Sequence, residues 1–341
     1  MVEKKKQINF ENNLYSASSI CEGRICYNGE FSRIYSFATE NIAGYIDYFD
    51  FDNKSLLTVG SSGDQVLNAF YNGARDITLF DINEYAKYYV YLKISAILSL
   101  SYQEFILFFF KHDISPFKEN KYMFSKEIFN KIKYNLRLFD YESYLFFDEL
   151  ISLYDGEKIR SRLFDDDEDR KIVIKGINKY LQDEESYNKL KSVIRKIHFK
   201  YVYGNIFEDD IDGKFDNIFL SNLCSVTSLE NLKAMLQKLD KNNLNSKGSV
   251  LFGYLWNTFY ESNQLKEEWK DIYKMPIVRE YLKEYIVEKM NPIFKIYGVK
   301  CRDFKIIEIS YEKDKKIVVE DKPKEVKPIE VKSNVYVQKE I

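Results

Sequence analysis

Two short groups of residues in this chain have the types and spacing that chemistry on a nucleoside needs: Gly60-Ser61-Ser62-Gly63-Asp64, and Asp81-Ile82-Asn83. Small residues in the first group let a ligand approach the backbone at the start of a helix. An acid about 20 positions further on, at the end of the next strand, suits the two hydroxyls of a ribose. The turn departs from G-x-G-x-x-G: the third glycine is missing, and Asp64 sets a negative charge where a pyrophosphate would lie. No G-x-x-x-x-G-K-[ST] occurs, which excludes a P-loop. A cationic, phosphate-free nucleoside fits better, and S-adenosylmethionine is one. On this reading Gly60, Ser62, Gly63 and Asp64 form the cofactor turn, Asp81 takes the ribose hydroxyls, and Ile82 and Asn83 complete that end of the cofactor site. Asn205 reaches the adenine amino group, Ile206 flanks the ring, and Ser221 and Asn222 face the reacting end. Tyr35 and Glu40 are the candidate acceptor-facing, catalytic pair, because an alcohol acceptor needs a base. Each group has a plainer reading too: the glycines, Gly204-Asn205 and Ser221-Asn222 as turns, Asp81 as a helix N-cap, Glu40 in a surface pair.

The elements that must position these residues follow from hydrophobic patterning. Leu56-Leu57-Thr58-Val59 and Ile77-Thr78-Leu79-Phe80 read as buried strands around a helix from Gln65 to Asn72. Further strands are expected at Lys200–Tyr203, Phe215–Leu220 and Gly248–Gly253, with a closing hairpin of Phe304–Glu312 and Lys315–Val319. Helices are expected at Arg33–Tyr48, Glu84–Phe110, Lys118–Lys133, Tyr141–Tyr154, Glu184–Ile197, Leu229–Leu239 and over 264–290. Strands alternating with helices imply an α/β fold with a mostly parallel, doubly wound sheet, and ligands in such sheets lie beyond the carboxyl ends of the strands. The strands end on Gly60, Asp81, Asn205, Ser221-Asn222 and Gly253. The organisation is an N-terminal helical entry segment (1–50), a first half of a Rossmann-like domain (51–110), a helical insertion (111–199), a second half (200–320) and a charged, proline-punctuated tail (321–341).

The formal net charge is −2 with 30% charged residues over 341 positions, which gives no basic footprint for nucleic acid. Cys21, Cys26, Cys224 and Cys301 form neither a disulfide framework nor a paired C-x-x-C metal site, and we read them as reduced thiols of a cytoplasmic protein. No metal is expected. His112 and His198 fall outside the strand ends and are set aside.

Leu57-Thr58-Val59-Gly60-Ser61-Ser62-Gly63, Ile77-Thr78-Leu79-Phe80-Asp81-Ile82-Asn83, Tyr91-Leu92-Lys93-Ile94-Ser95-Ala96-Ile97 and Tyr102-Gln103-Glu104-Phe105 together resemble the S-adenosylmethionine:diacylglycerol 3-amino-3-carboxypropyltransferase family of betaine-lipid synthesis and its shorter relatives. Arg33-Ile34-Tyr35-Ser36 with Glu40 resembles that family's entry segment. The resemblance covers residues 33–110; Thr39-Glu40-Asn41 stands in place of Trp-Glu-Asp, and Asn205 in place of an Asp. It implies a class I methyltransferase-like Rossmann fold, S-adenosylmethionine as co-substrate, and transfer of the 3-amino-3-carboxypropyl group to a small-molecule or lipid acceptor. Methyl transfer, or a non-catalytic Rossmann-like binding module, are the alternatives. Phe105–Phe110 is a peripheral membrane contact if exposed and core if buried, and core is the favoured reading.

Overall fold

The computed structural model describes residues 9–24, 31–38, 40, 42–110, 122–164, 171–221, 223, 227–254, 278–282 and 305–310. The helix α1 (Phe10–Cys21) starts at Asn9, whose side chain accepts from the Asn12 amide at 3.1 Å. A short α2 (Ile42–Tyr45) runs into a 3-10 turn at Ile46–Tyr48. Then come β1 (Ser55–Val59), α3 (Asp64–Tyr71), β2 (Asp76–Asp81), α4 (Glu84–Ser99) and α5 (Tyr102–Phe109). The insertion contributes α6 (Lys126–Phe139), α7 (Tyr141–Leu153), α8 (Gly156–Leu163), α9 (Lys171–Ile177), a 3-10 turn at Lys179–Leu181, and α10 (Glu184–Val193). The chain returns to the sheet with β3 (Phe199–Tyr203) and β4 (Phe215–Phe219), then α11 (Leu229–Asn242), β5 (Leu244–Tyr254), β6 (Val278–Leu282) and β7 (Lys305–Ser310).

Among the described residues the sheet order is β3-β2-β1-β4-β5-β7-β6. β1 pairs in parallel with both β2 and β4, β2 with β3, and β4 with β5, whereas β7 runs antiparallel to both β5 and β6. That order, with its antiparallel seventh strand, is the class I methyltransferase-like Rossmann fold. The order reverses between β1 and β4, which is the switch point where such sheets bind ligands. Central strands covered on both faces lose the polar alternation of half-exposed strands, and β1 is buried from Leu56 to Val59. Leu57, Val59, Phe80 and Ile218 pack under Leu232, Met235, Leu236 and Leu239 of α11. On the other face Leu56, Ile77 and Leu79 join one continuous core with Tyr85 and Tyr89 of α4, Phe105 and Phe109 of α5, and Phe146, Leu150, Tyr187 and Leu190 of the insertion.

Several expectations need correcting. Residues 33–48 do not form one helix: 31–38 is an extended segment, bridged in parallel at Ile34 to Phe164, before α2. Its backbone groups are taken by distant partners, so intrahelical bonding has no advantage there: Ile34 N donates to Leu163 O at 3.4 Å and Tyr89 OH to Ser36 O at 2.8 Å. The expected helix 84–110 is broken at Leu100, because Ser101 and Glu104 form a capping box that starts α5 afresh. Phe105, Phe108 and Phe109 are fully buried, so that patch is core. Residues 278–282, expected within a helix, are a strand and supply the antiparallel partner of β7. The run 315–319, the acidic run 165–169 and the tail lie outside the described residues. No helix among the described residues is long and apolar enough to cross a membrane.

Candidate active site

The turn after β1 is tied to β2. Gly60 N donates to Phe80 O at 2.7 Å, and Gly63 N closes the turn on Gly60 O at 2.8 Å. A Cβ on Gly60 would lie 3.3 Å from Cβ and Oδ2 of Asp81, a tight contact to which the acid would have to yield by a few tenths of an ångström. Gly63, at φ +80°, supplies the left-handed residue that lets α3 begin at Asp64. Ser61 also has positive φ, at 38°.

Asp81 ends β2 in the predicted place and is 8% exposed. Its Oδ2 accepts from the Ser61 amide at 2.6 Å and its Oδ1 from the Asn83 amide at 2.8 Å. Burial pushes its carboxyl up to about 6, against the pull of those amides. Asp81 is not the helix cap. Asn83 is: its Oδ1 accepts from the Tyr85 amide at 3.1 Å, and its Nδ2 donates to Ser32 O at 2.9 Å, tying the entry segment to α4. Asn83 is therefore occupied by the protein rather than turned to a ligand. Ile82 between them is 44% exposed, an apolar surface at the strand end.

Five sequence candidates line one cleft at the switch point: Tyr35 and Glu40 from the entry segment, Gly60 and Ser62 from the turn, and Ser221 after β4. Glu40 is 7% exposed. Its Oε1 accepts from Gln65 Nε2 at 2.5 Å and from Ser221 Oγ at 2.6 Å, so the carboxylate bridges α3 and the end of β4. Ser221 reaches it from a left-handed backbone at φ 51°. Tyr35 is 38% exposed at the rim.

Other candidates are placed elsewhere. Asp64 is fully buried and its acceptor sites are filled from inside: Lys93 Nζ and Tyr180 OH each lie 2.6 Å from Oδ1, and Oδ2 accepts from the Ala38 amide at 2.5 Å and Ser62 Oγ at 3.2 Å. A carboxylate has about four acceptor positions, so Asp64 belongs to the scaffold of the turn and not to the cleft. Ile206 is 3% exposed and packs with Leu57 and Phe80 in the core, not over a ligand ring. Asn205 caps its own turn, with Oδ1 accepting from Phe207 N at 3.1 Å, and its neighbour Gly204 donates to Asp81 O at 3.0 Å. Asn222 lies outside the described residues. His198 is exposed at the opposite end of the sheet, beside the starts of β2 and β3.

Sequence reading missed Gln65, Ser61 and Ala38 as cleft residues. Gln65 carried a usable signal: it is a polar residue at the start of a helix whose next positions, Val66 and Leu67, are apolar, and it is 3% exposed. Ala38 carried none, because its contribution is position on an extended segment.

No family model and no curated protein matches this chain. Solved structures similar to it include a TehB-like SAM-dependent methyltransferase from Corynebacterium glutamicum (10% identity, 89% of this chain and 98% of that one, TM-score 0.34). A second is the glycopeptide N-methyltransferase MtfA in complex with S-adenosyl-L-methionine (8% identity, 83% and 98%, TM-score 0.34). A third is spermidine synthase from Thermotoga maritima (11% identity, 81% and 58%, TM-score 0.33). At these values the likenesses carry no argument about activity.

Proposed function

We propose that the cleft binds S-adenosylmethionine and that the protein transfers an alkyl group from it to a nucleophilic acceptor, with the 3-amino-3-carboxypropyl group as the favoured cargo. The observation that supports this most is the meeting of a glycine turn, a buried carboxylate and a strand-end hydroxyl at the switch point, with Asp81 and Ile82 one strand away. The residues fit such a ligand. Gly60 leaves the turn backbone approachable, Asp81 retains acceptor capacity beyond its amide bonds for ribose hydroxyls, and the exposed Ile82 offers an apolar face to a base. Glu40 places a negative charge on the wall opposite the turn, which attracts a sulfonium or ammonium group in a site largely shielded from water. Among the described residues no lysine or arginine lines the cleft for a phosphate.

Bound sulfonium supplies an electrophilic carbon: the acceptor's lone pair forms the new bond, the carbon–sulfur pair returns to sulfur, and methylthioadenosine or S-adenosylhomocysteine is left according to which carbon was attacked. The chain's share is to hold donor and acceptor in line. Ser221 and Gln65 fix the Glu40 carboxylate in one orientation, and Tyr35 at the rim meets an incoming acceptor. The family resemblance of residues 33–110 favours aminocarboxypropyl over methyl transfer; a small-molecule or a lipid nucleophile is compatible with either.

Calorimetry with S-adenosylmethionine tests the ligand: wild type is expected to bind, and Asp81→Ala to bind at least about tenfold more weakly, the worth of a hydrogen bond to a charged group. Absence of binding by wild type sinks the enzyme reading and leaves a non-catalytic module. Mass spectrometry after incubation with a lipid extract separates the reactions. Methylthioadenosine is the expected by-product; S-adenosylhomocysteine in its place would establish methyl transfer.

A further inference from the structure

Behind the cleft lies a second polar cluster whose side chains do not line it, formed by Asp64 of α3, Lys93 of α4 and Tyr180 of the insertion, all three fully buried. Lys93 Nζ donates to Asp64 Oδ1 at 2.6 Å and to the Ser62 carbonyl at 2.9 Å, with the Phe37 ring centroid 4.0 Å away. Tyr180 OH donates to the same Oδ1 at 2.6 Å. Oδ2 accepts from the Ala38 amide at 2.5 Å.

A buried ion pair is weak evidence for stability, since its desolvation cost rivals its attraction; burial lowers the Lys93 ammonium to about 8. What marks this pair is what its remaining bonds hold. Ser62 is on one wall of the cleft and Ala38 on another. Lys93 fixes the Ser62 carbonyl, and Asp64 fixes the Ala38 amide two residues before Glu40. Tyr180 reaches this centre from a segment that is latched beside it: Asn68 Nδ2 donates to Asn178 Oδ1 at 2.7 Å, and Lys179 N donates to Asn68 Oδ1 at 2.8 Å.

We infer that Lys93 and Tyr180 are positioning residues for the cofactor cleft: acting through Asp64, they set the distance between the Ser62 turn and the entry segment that carries Glu40, so that the helical insertion takes part in binding without touching ligand. The inference rests on the S-adenosylmethionine reading of the cleft. It differs from a purely structural role in one respect. A structural pair is replaceable by any neutral, well-packed pair, whereas a positioning pair is not, because methionine cannot bond the Ser62 carbonyl.

The experiment compares Lys93→Met, the neutral double variant Asp64→Asn/Lys93→Met, and Tyr180→Phe, each by thermal melting and by calorimetry with S-adenosylmethionine. The single Lys93→Met strands a buried carboxylate and is expected to melt well below wild type. The double variant is expected to recover most of that loss while binding the ligand at least tenfold more weakly than wild type. Tyr180→Phe is expected to melt within a few degrees of wild type and to bind three- to tenfold more weakly. Wild-type affinity in Tyr180→Phe and in a double variant that folds would overturn the inference and leave the cleft assignment standing. If the double variant does not fold, Tyr180→Phe decides alone. Absence of binding by wild type would instead sink the cleft reading on which the inference depends.

Discussion

Asp81 carries the clearest pH signature of any single residue in the site. Its carboxyl is held at about 6, above the ordinary 3.8, because burial outweighs the pull of the Asn83, Ser61 and Ile82 amides. The folded state therefore keeps its proton to higher pH than the unfolded chain does. Between about 4 and 6 the folded state binds more protons, so this group's contribution to stability falls as pH rises, and above 6 its cost is complete. Ribose hydroxyls favour the ionised form, so affinity for S-adenosylmethionine is expected to climb through the same interval. Denaturant melts and calorimetry from acid to neutral pH should show both trends in wild type and neither in Asp81→Asn. Retention of the affinity trend in the variant would move the titration to another group. The placement of Asp81 beside Gly60 was legible because it follows from type and spacing along adjacent strands. Asp64 was misread for a physical reason: a charge after a glycine turn looks ligand-facing until Lys93, on the next helix, is seen to neutralise it.

At the scale of elements, the parallel strands were legible as short apolar runs, and their observed bounds differ little from those expected except for β5, which begins at Leu244 rather than Gly248. The entry segment was not, because its apolar residues mimic a helical face while its backbone is held by elements far along the chain. One of these is α8. Arg33 Nε donates to Arg162 O at 2.9 Å, and the Ile34 amide to Leu163 O at 3.4 Å. α8 in turn starts at Gly156, pressed so closely on the turn before α6 that a Cβ there would lie 1.6 Å from the Met123 carbonyl oxygen. Backbone must move to admit it. Gly156→Ala is expected to cost about 3 kcal/mol, as overpacking with a backbone shift does, measured by urea denaturation. It should also loosen residues 31–38, read as faster amide exchange at Ile34. A stability change within a few tenths of a kcal/mol would show that the helix start can simply shift.

At the scale of the molecule, the division into two half-domains and an insertion describes the sequence better than the packing. One core runs from Leu56 and Leu79 of the sheet to Phe146 and Leu190 of the insertion without a break. The sequence could place the insertion between β2 and β3 but not its docking, because buried contacts such as Tyr187 OH to Leu100 O join positions 87 apart. This arrangement has a consequence in time. Among the described residues β3 pairs only with β2, and it follows α4 to α10 in the chain. A ribosome needs on the order of ten seconds to make that stretch, during which β2 has an unpaired edge of the kind that invites wrong partners. We expect the insertion to assemble first and so deliver β3 to that edge. In pulse-labelled refolding, amides of α4, α7 and α10 are expected to gain protection before those of β3; the opposite order would mean that the sheet recruits the helices. On the expected order the earliest strands wait on sequence made long after them, and the helical insertion sets the moment at which the β2 edge is closed.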